Sequence, residues 1–303
     1  MGFMDCDFTI IIPHKNIPNL LQRCLDSIPD VPDVQVIVVD DNSSVDKVDF
    51  DHFPGLERRY TECIFDKQGG GAGHARNVGM QHADGKWLVF ADADDFFTSV
   101  FYDILLSHKH APYDILLFKS NSVYSDDLSP ANRMWQLNKA IDEVLDSKIT
   151  DRQAVMSRYC PVCKMFRTSH IKEHGITFDE TRYSNDQMFV AKATCLAEDN
   201  RVKVFDEVLY TVTVRKGSLI DGIKKDPENF LCRMEVHIRC NKFLKDYPQF
   251  RKEPMFFQLQ MAWEISIKTF FKALKMLLER GALFSGFDTF LRIINNHTLK
   301  LNL

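Results

Sequence analysis

The sequence predicts an α/β fold, built on an open, mostly parallel sheet flanked by helices and followed by a C-terminal helical extension. Three observations support this prediction. Short β-branched runs alternate with helical patterns over about the first hundred residues, the runs are mainly apolar, and helical periodicity dominates beyond about residue 225. Uninterrupted apolar strands separated by helices indicate parallel strands that are covered on both faces.

Each element of the first half has a local signature. A β-branched run is stopped by Pro13, and a helix with one apolar face and a second buried strand follow it. A helix closed by Gly85 then leads into a third strand. In order, these segments are DFTIIIP (7–13), NLLQRCLDSI (19–28), VQVIVVDD (34–41), GHARNVGMQHADG (73–85) and KWLVFA (86–91).

The pattern changes after about residue 100. A helix, a strand, a polar turn-rich insertion and a strand ending in a Gly-Ser turn are predicted at SVFYDILLSHK (99–109), YDILLFKS (113–120), YSDDLSPANR (124–133) and EVLYTVTVRKGS (207–218). We accordingly divide the chain into residues 1–100, 101–224 and 225–303.

The C-terminal region contains an apolar stripe. Large apolar residues recur at three- and four-residue steps, while Lys268, Lys272 and Lys275 lie off the stripe. Such a stripe usually packs on its own domain; an oligomer contact and an amphipathic helix resting on anionic lipid are the alternatives. The stripe comprises Phe256, Leu259, Trp263, Ile267, Phe270, Phe271, Leu274 and Leu278.

The composition is that of a folded globular protein. Of the 303 residues, 45% are hydrophobic and 26% charged, so the chain can bury a sizeable core as one large domain with an appendage or as two modest domains. The formal net charge of −4 provides no overall basic field, which argues against nucleic acid as the main partner.

The N-terminal stretch MGFMDCDFTIIIPHK does not have the pattern of a targeting segment. It lacks a basic region followed by an apolar core, and no later segment offers about eighteen uncharged apolar residues. Cys6 stands where the myristoylation pattern requires Ser or Thr. We therefore expect a cytoplasmic protein without membrane spans, with peripheral contact at the inner face of the membrane as an option.

The eight cysteines are scattered and are most simply explained as reduced thiols. Cys160 and Cys163 form a CxxC pair, but a four-ligand zinc site needs a second pair at similar spacing, and Cys232 with Cys240 is too widely spaced. Buried thiols are therefore expected in preference to a metal or redox site.

Polar clusters directly follow three predicted strands: PHKN at 13–16, DDNSS at 40–44 and DADD at 92–95. Parallel strands place their carboxyl ends at one edge, where open α/β sheets bind ligands. Five carboxylates then meet around one pocket, and such like charges need a cation or hydrogen-bond donors. Mg²⁺ or Mn²⁺, held by one or two carboxylates together with water and substrate phosphates, suits this donor set and indicates a diphosphate substrate.

These clusters also have structural explanations. Asp94 or Asp95 could cap the following helix, but one capping carboxylate suffices for that, so we favour a metal or ligand role for DADD. DDNSS alone is equally consistent with an Asx turn. GGGAGHAR lacks the ending of a phosphate loop; Gly73, His74 and Arg76 at a helix start could meet a phosphate or a carboxylate, or form a flexible turn with a surface arginine.

Taken together, FTIIIPHKN, VIVVDDNSS, GGGAGHARNVGMQHADGKWLVFADADDFF and YSNDQMFV resemble the family 2 glycosyltransferases of the GT-A fold, from about Phe8 to about Ile220. That fold has a Rossmann-like nucleotide-binding half. In this family a strand ends in Pro-Thr-Tyr-Asn, a second ends in Asp-Asp-Gly-Ser or Asp-Asp-Asn-Ser, and an Ala-Arg-Asn helix, an Asp-x-Asp-Asp (DXD) metal site and a Glu-Asp pair follow.

The resemblance implies a nucleoside site at the first two strands. Asp41 matches the acid that hydrogen-bonds the nucleotide base, and Pro13 lies at the nucleoside-facing end of the first strand. Lys15 stands where the family often has an aromatic residue that stacks on the base, and His14 replaces a small hydroxyl residue. Recognition of the nucleotide base is therefore the part of the site in which this chain departs most from the family pattern.

The resemblance also implies where the diphosphate and its cation bind. Arg76 matches the arginine of the Ala-Arg-Asn motif, and Asp92 and Asp94 lie on the ribose and diphosphate side of the Asp-x-Asp-Asp motif. Asp95 matches the principal ligand of Mn²⁺ or Mg²⁺, with Asp94 as the second metal residue.

The remaining motif residues are implied to act on the acceptor side and over the diphosphate. Asp186 falls where the family keeps its general base, although Ser184 to Asp186 also has the pattern of a helix cap. Asn185 stands where Glu usually precedes that base. Arg215 and Ser218 match a stretch that closes over the diphosphate.

The resemblance thus implies a metal-dependent inverting glycosyltransferase that moves a sugar from a nucleotide-diphosphate sugar, a UDP-sugar being favoured, to a hydroxyl of a glycan or lipid-linked acceptor in cell-surface polysaccharide synthesis. Residues 1–100 become the nucleotide-sugar half, 101–224 the acceptor half and 225–303 a helical extension.

Two other functions compete with the transferase. Lys15 and Asn185 favour a catalytically silent nucleotide-binding or scaffold protein of the same fold, which uses its C-terminal helices for assembly, and a homo-oligomer is a further option. A nucleotidyltransferase needs a glycine-rich basic loop after the first strand, which PHKNIPN does not provide.

Overall fold

The computed structural model describes residues 6–215 and 226–287. Ser218, one of the residues that the sequence assigns to the diphosphate, and the Gly-Ser turn that contains it lie outside the described residues. The described chain forms two compact units. One, the sheet unit, comprises residues 6–180 and 185–215, and the other, the helical unit, comprises residues 181–184 and 226–287.

The strands of the described chain are β1 (Phe8–His14), β2 (Val34–Asp41), β3 (Thr61–Asp66), β4 (Trp87–Phe90), β5 (Phe96–Phe97), β6 (Ile115–Tyr124), β7 (Lys164–Arg167) and β8 (Val202–Val214). The helices are α1 (Pro18–Asp26), α2 (Gly71–Gln81), α3 (Phe101–His108), α4 (Trp135–Leu145), α5 (Asp151–Ser157), α6 (Thr168–Glu173), α7 (Gln187–Leu196), α8 (Pro227–Phe243), α9 (Met255–Ile265) and α10 (Ile267–Glu279).

All eight of these strands form one sheet in the order β3-β2-β1-β4-β7-β6-β8-β5. β1 pairs in parallel with β2 and β4, β2 with β3, and β6 with β8, whereas β7 is antiparallel to β4 and β6 and β5 is antiparallel to β8. The predicted open, mostly parallel sheet flanked by helices is confirmed. The antiparallel β7 separates its two parallel parts.

The register places the ends of three strands side by side. Ile11 in β1 lies opposite Ile37 in β2 and Phe90 in β4, so these strands run together and end at the same edge. β2 and β4 are buried along their whole lengths, which explains why most of their residues are apolar. The polar clusters that follow β1, β2 and β4 are therefore brought to one edge of a rigid sheet.

One strand of the sheet has no clear sequence signal. Every residue of β3, which reads TECIFD, is half-buried, because the strand lies at the edge of the sheet next to β2. It therefore has neither the continuous apolar run of a central strand nor a clean alternation of apolar and polar residues. β8 also begins at Val202, five residues before the strand that the sequence predicts.

The sequence predicts Gly85 as the end of a helix, but α2 ends four residues earlier, at Gln81. A Cβ at Gly85 would lie 2.5 Å from the backbone atoms Phe8 C and Thr9 N in β1. The Gly85 N–H also donates to Thr9 Oγ1 (2.9 Å), and its carbonyl accepts a hydrogen bond from Thr168 Oγ1 (2.5 Å). Gly85 is therefore needed for the close approach of this turn to β1.

The helical unit has a core of its own. α8 contributes Phe230, Met234 and Ile238, and α9 and α10 contribute Met255, Leu259, Ala262, Ala273 and Leu277. Ser266 separates α9 from α10, and its side chain accepts a hydrogen bond from the backbone N–H of Thr269 (3.0 Å), which caps α10.

The expectation that the apolar stripe packs on its own domain is wrong for most of its members. Phe256, Trp263, Ile267, Phe271 and Leu278 are exposed, whereas Leu259 is buried and Phe270 and Leu274 are partly buried. The core of the helical unit is formed instead by residues on adjacent faces of α9 and α10. The helix break at Ser266 changes which side chains point inward.

None of the helices in the described part of the chain has the length and the apolar character of a membrane span.

All eight cysteines are free, and Cys163 is buried whereas Cys160 is partly exposed.

We predict that Gly85→Ala lowers the free energy of unfolding by roughly 1–3 kcal/mol, because the new methyl group overlaps backbone that cannot move aside. Gly79→Ala is the matched comparison: its Cβ would meet the Ile11 side chain at 2.5 Å, but alanine inside a helix recovers roughly 1 kcal/mol of propensity. Urea denaturation of both variants measures the difference, and a loss at Gly79 that equals or exceeds the loss at Gly85 contradicts this account.

Candidate active site

The loops after β1 and β2 form one hydrogen-bonded rim. His14 Nδ1 lies 2.8 Å from Asp40 Oδ2, and Asp40 also accepts hydrogen bonds from the backbone N–H (2.9 Å) and hydroxyl (2.5 Å) of Ser43. Burial raises the pKa of the Asp40 carboxyl, but the bonds from His14 and Ser43 outweigh burial and leave the pKa below its usual value. Asn16, at φ 59°, ties the loops together, donating its N–H to Ser43 Oγ (2.8 Å) and accepting from the N–H of Ser44 (2.8 Å).

Asp41, the acid implied to recognise the base, is buried and has two partners. Lys15 Nζ lies 3.1 Å from Asp41 Oδ2, and the N–H of Gly71, at the start of α2, donates to Asp41 Oδ1 (2.8 Å). Pro13 is partly buried at the end of β1, and the Lys15 side chain is half exposed. Lys15, which departs from the family pattern, therefore forms an ion pair with Asp41.

Three acids of the DADD cluster are compensated in different ways. Asp92 Oδ1 accepts a hydrogen bond from Arg76 Nη2 (2.6 Å), and Asp94 Oδ2 accepts one from Arg215 Nε (2.7 Å). Asp95 is buried, and its Oδ1 accepts from the backbone N–H of Thr213 (2.6 Å). Burial and the negative charges of Asp92 and Asp94 raise the pKa of Asp95 well above its ordinary value. Asp95 is the member of the cluster whose charge is least compensated.

This donor set fits a hard divalent cation. In the part of the chain that the structure describes, no three His, Cys, Asp or Glu side chains are grouped as a ready-made metal site. Mg²⁺ and Mn²⁺ need only one or two protein carboxylates when water and phosphate oxygens complete their shell. Asp95 offers a carboxylate surrounded by like charges, and an added positive charge would relieve that repulsion.

Arg76 connects this acidic cluster to a distant segment. Its guanidinium is buried; Nη2 donates to Asp92, and Nη1 donates to Asn185 Oδ1 (2.9 Å). The guanidinium carbon lies 5.3 Å from the centre of the Phe178 ring, and the Nε atom is buried without a hydrogen-bond partner. The sequence suggests a phosphate or a carboxylate as the partner of Arg76. In the structure Arg76 contacts the carboxylate of Asp92.

Asp186 lies at the N-terminal end of α7, but its side chain makes no capping hydrogen bond. Asp186 therefore occupies the N-cap position without capping α7 through its side chain. Burial raises the pKa of Asp186 above its usual value, and the charge of Asp92 acts in the same direction. The positive charges of Arg76 and of the fully buried Lys164 oppose this rise.

Helix α2 holds the segment that leads to Asp186. Asn77 Nδ2 donates to the carbonyl of Phe178 (3.0 Å), and the N–H of Phe178 donates to Asn77 Oδ1 (2.8 Å). The backbone N–H of Asp179 donates to the carbonyl of Asn185 (3.0 Å), so this hydrogen bond joins the two ends of the segment 179–185. A Cβ at Gly73 would lie 2.1 Å from the carbonyl oxygen of Asp179, so only glycine fits there.

Several residues of this arrangement have no sequence signal of their own. Tyr210 in β8 accepts a hydrogen bond from the N–H of Asp92 (2.8 Å) through its hydroxyl oxygen, and Thr213 Oγ1 donates to the carbonyl of Asp94 (2.8 Å). Asn77 belongs to the Ala-Arg-Asn motif, but the resemblance implies a role only for Arg76 in this motif. Tyr210 and Thr213 of β8 contact the DADD loop, although they are more than 110 residues away from it in the sequence.

The sequence comparisons agree with this architecture. The family model described as "Glycosyl transferase family 2" matches residues 9–175, more than half of the chain. The chain is 28% identical over 239 residues to poly(ribitol-phosphate) beta-glucosyltransferase of Bacillus spizizenii, covering 75% of this chain and 35% of that protein. It is 27% identical over 236 residues to poly(ribitol-phosphate) beta-N-acetylglucosaminyltransferase TarS of Staphylococcus aureus, covering 74% and 38%. The chain therefore spans little more than a third of the length of these two relatives.

Solved structures with the same fold include ligand complexes. Residues 1–349 of S. aureus TarS with UDP-GlcNAc align with a TM-score of 0.66 at 21% identity, covering 90% of this chain and 81% of that one. The mannosyltransferase PcManGT of Pyrobaculum calidifontis with GDP-Man and Mn²⁺ aligns with a TM-score of 0.50 at 15% identity, covering 99% and 82%. The predicted GT-A fold is confirmed.

We predict that Asn185→Ala lowers the free energy of unfolding by about 1.5–3 kcal/mol, because Arg76 Nη1 then loses its acceptor in a buried site. Asn121→Ala, at an exposed position of β6, is the control and should change stability by less than about 0.5 kcal/mol. Chemical denaturation compares the two variants. Equal effects would mean that the Arg76–Asn185 bond contributes nothing to the fold.

Proposed function

Because the chain belongs to glycosyl transferase family 2, we propose that it transfers a sugar from a nucleotide-diphosphate sugar to a hydroxyl of a glycan or lipid-linked acceptor, with inversion at the anomeric carbon. One observation supports this above the others: the acids after β2 and β4 lie at one edge of the sheet, and Arg76 joins Asp92 of this edge to Asn185, next to Asp186. The names of the relatives favour a role in cell-surface polysaccharide synthesis.

On this proposal a UDP-sugar is the favoured donor, because solved structures of the same fold contain UDP or UDP-GlcNAc. Asp41, with Pro13 and Lys15 beside it, faces the nucleoside. Arg76, Asp92 and Asp94 serve the ribose and diphosphate side. Arg215, held against Asp94, closes over the diphosphate together with Ser218. Residues 1–100 bind the donor, 101–224 shape the acceptor side, and 225–303 form the helical extension.

Asp95 and Asp94 are the residues proposed to hold Mn²⁺ or Mg²⁺. When bound, the ion would neutralise negative charge that grows on the departing diphosphate. The protein contributes a cluster of acids in which the backbone N–H of Thr213 in β8 orients the Asp95 carboxyl. A site of this kind is completed by the phosphate oxygens of the donor, which accounts for its small number of protein ligands.

Asp186 is the proposed general base. The acceptor oxygen forms a bond to the anomeric carbon while the bond from that carbon to the diphosphate oxygen breaks, and its electron pair leaves with the diphosphate. Asp186 takes the proton of the acceptor hydroxyl in the same displacement. A base must be ionised to act, and Arg76 and Lys164 favour the ionised form against burial.

The second candidate function is a catalytically silent nucleotide-binding or scaffold protein. The Lys15–Asp41 ion pair favours it, because a lysine engaged with this acid does not supply the aromatic surface on which a base could stack. Both candidates predict binding of a nucleotide, and only the transferase predicts turnover.

We predict that UDP-GlcNAc or UDP-glucose raises the melting temperature of the chain when Mn²⁺ is present, since a ligand that binds the folded state stabilises it. Asp95→Asn should abolish the Mn²⁺-dependent part of this shift. The substituted amide is isosteric and can still accept from Thr213, so the melting temperature without ligand should stay within about 4 °C. Thermal scans with UDP, UDP-sugars and GDP-mannose make this test. A shift that does not need Mn²⁺, or that survives in Asp95→Asn, contradicts the metal assignment.

We predict that Asp186→Asn lowers transfer about 10²–10⁴-fold while leaving donor binding intact. Because the pKa of Asp186 is raised, the wild-type rate should fall as the pH drops through that raised pKa, as the base takes up its proton. Release of UDP in the presence of poly(ribitol phosphate) and other polyol or glycan acceptors measures the rate. Donor binding without turnover in the wild-type chain would favour the silent protein, whereas full activity of Asp186→Asn would exclude Asp186 as the base.

A further inference from the structure

The helical unit presents an apolar surface that its own core does not use. We call Trp263, Ile267, Phe271 and Leu278 the outer stripe; these residues are between 58% and 60% exposed. The residues that fill the core lie on other faces of the same helices, such as Ala262 of α9 and Ala273 and Leu277 of α10. The outer stripe is therefore surplus to the packing of this unit.

The outer stripe is continuous along α10. Ile267, Phe271 and Leu278 are separated by four and seven residues, so they lie along one face of a helix that is about 20 Å long. Trp263 extends the surface from α9, since its ring contacts Phe270 (5.4 Å between ring centres), which in turn contacts Phe271 (5.5 Å). Large aromatic side chains in such a position suit a boundary between water and an apolar phase.

A row of lysines lies beside this surface. Lys268 and Lys272 directly follow Ile267 and Phe271, which places them about 100° further around α10, and Lys275 lies about 40° around the helix from Phe271. All three lysines are exposed. Lys275 lies 3.7 Å from Glu279. Within residues 6–215 and 226–287, no ion pair engages Lys268 or Lys272. Two uncompensated positive charges therefore flank the outer stripe.

We propose that the outer stripe and this lysine row bind the surface of an anionic membrane. The apolar side chains would enter the boundary between head groups and acyl chains, and the lysines would lie at the level of the lipid phosphates. Lipid suits the face better than a second copy of the chain, because a second copy would offer the lysine row mainly further lysines. This inference goes beyond the transfer reaction and does not depend on it.

Binding to an anionic membrane depends on the charges near the contact surface more than on the net charge of the chain. The chain carries a formal net charge of −4, which opposes adsorption to an anionic surface as a whole. At about 0.1 M salt the Debye length is roughly 10 Å, so the lysines adjacent to the surface outweigh distant carboxylates. Binding should therefore weaken as salt is raised.

Cosedimentation of the full chain with vesicles tests the proposal. The wild-type chain should bind vesicles that contain phosphatidylglycerol and bind vesicles of phosphatidylcholine alone more weakly. Lys268→Glu with Lys272→Glu should lower the partition coefficient at least about 25-fold, at roughly fivefold for each lysine near the surface. Ile267→Ser with Phe271→Ser should lower it at least about tenfold through lost apolar burial.

Matched charge reversals provide the control. Lys139→Glu with Lys148→Glu changes the net charge by the same amount at two side chains of the sheet unit that are 64% exposed, and it should leave binding unchanged. Failure of the wild-type chain to sediment with anionic vesicles, or an equal loss in this control, overturns the proposal. Light scattering on the Ile267/Phe271 variant gives a further decision: a dimer that becomes a monomer, without vesicle binding in the wild type, would assign the face to a second copy. None of these measurements involves nucleotide binding or transfer.

Discussion

The candidate site depends on one buried cation. Arg76 bonds to Asp92, which follows β4, and to Asn185, which precedes α7, so a single guanidinium joins segments that are more than ninety residues apart. A buried charge is costly unless it is paired and hydrogen-bonded, and these two partners repay most of that cost. Burial raises the pKa of Asp186, and the positive charge of Arg76 acts against that rise.

Pairing of the other acids follows the same requirement. Asp41 has Lys15 and Asp94 has Arg215, each within hydrogen-bonding distance, whereas Asp95 has the backbone donor of Thr213. Carboxylates at one sheet edge would otherwise repel each other and destabilise the fold. Burial and the charges of Asp92 and Asp94 raise the pKa of Asp95 well above its usual value, and this makes Asp95 the natural position for an added cation.

Helix α2 links the DADD loop to the segment before Asp186 within the sheet unit. Gly73 permits close contact with Asp179, Asn77 forms paired bonds to Phe178, and Arg76 reaches both sides. The helical unit is different in character. Its core is built around Phe230 and Met234, whereas Trp263 and Phe271 are exposed. One unit thus fixes a polar site, while the other provides an apolar surface with basic residues beside it.

The sequence alone determined the fold class, the strands β1, β2 and β4, and the polar clusters that end them, because buried parallel strands leave continuous apolar runs and their ends are punctuated by acids. It did not determine β3, whose half-buried residues lack a pattern, or the direction of the apolar stripe, which depends on the break at Ser266. Nor could it show that Arg76 joins Asp92 to Asn185, or that Lys15 pairs with Asp41. These contacts connect residues far apart in the chain, and only the tertiary structure decides which charges become neighbours and which remain uncompensated.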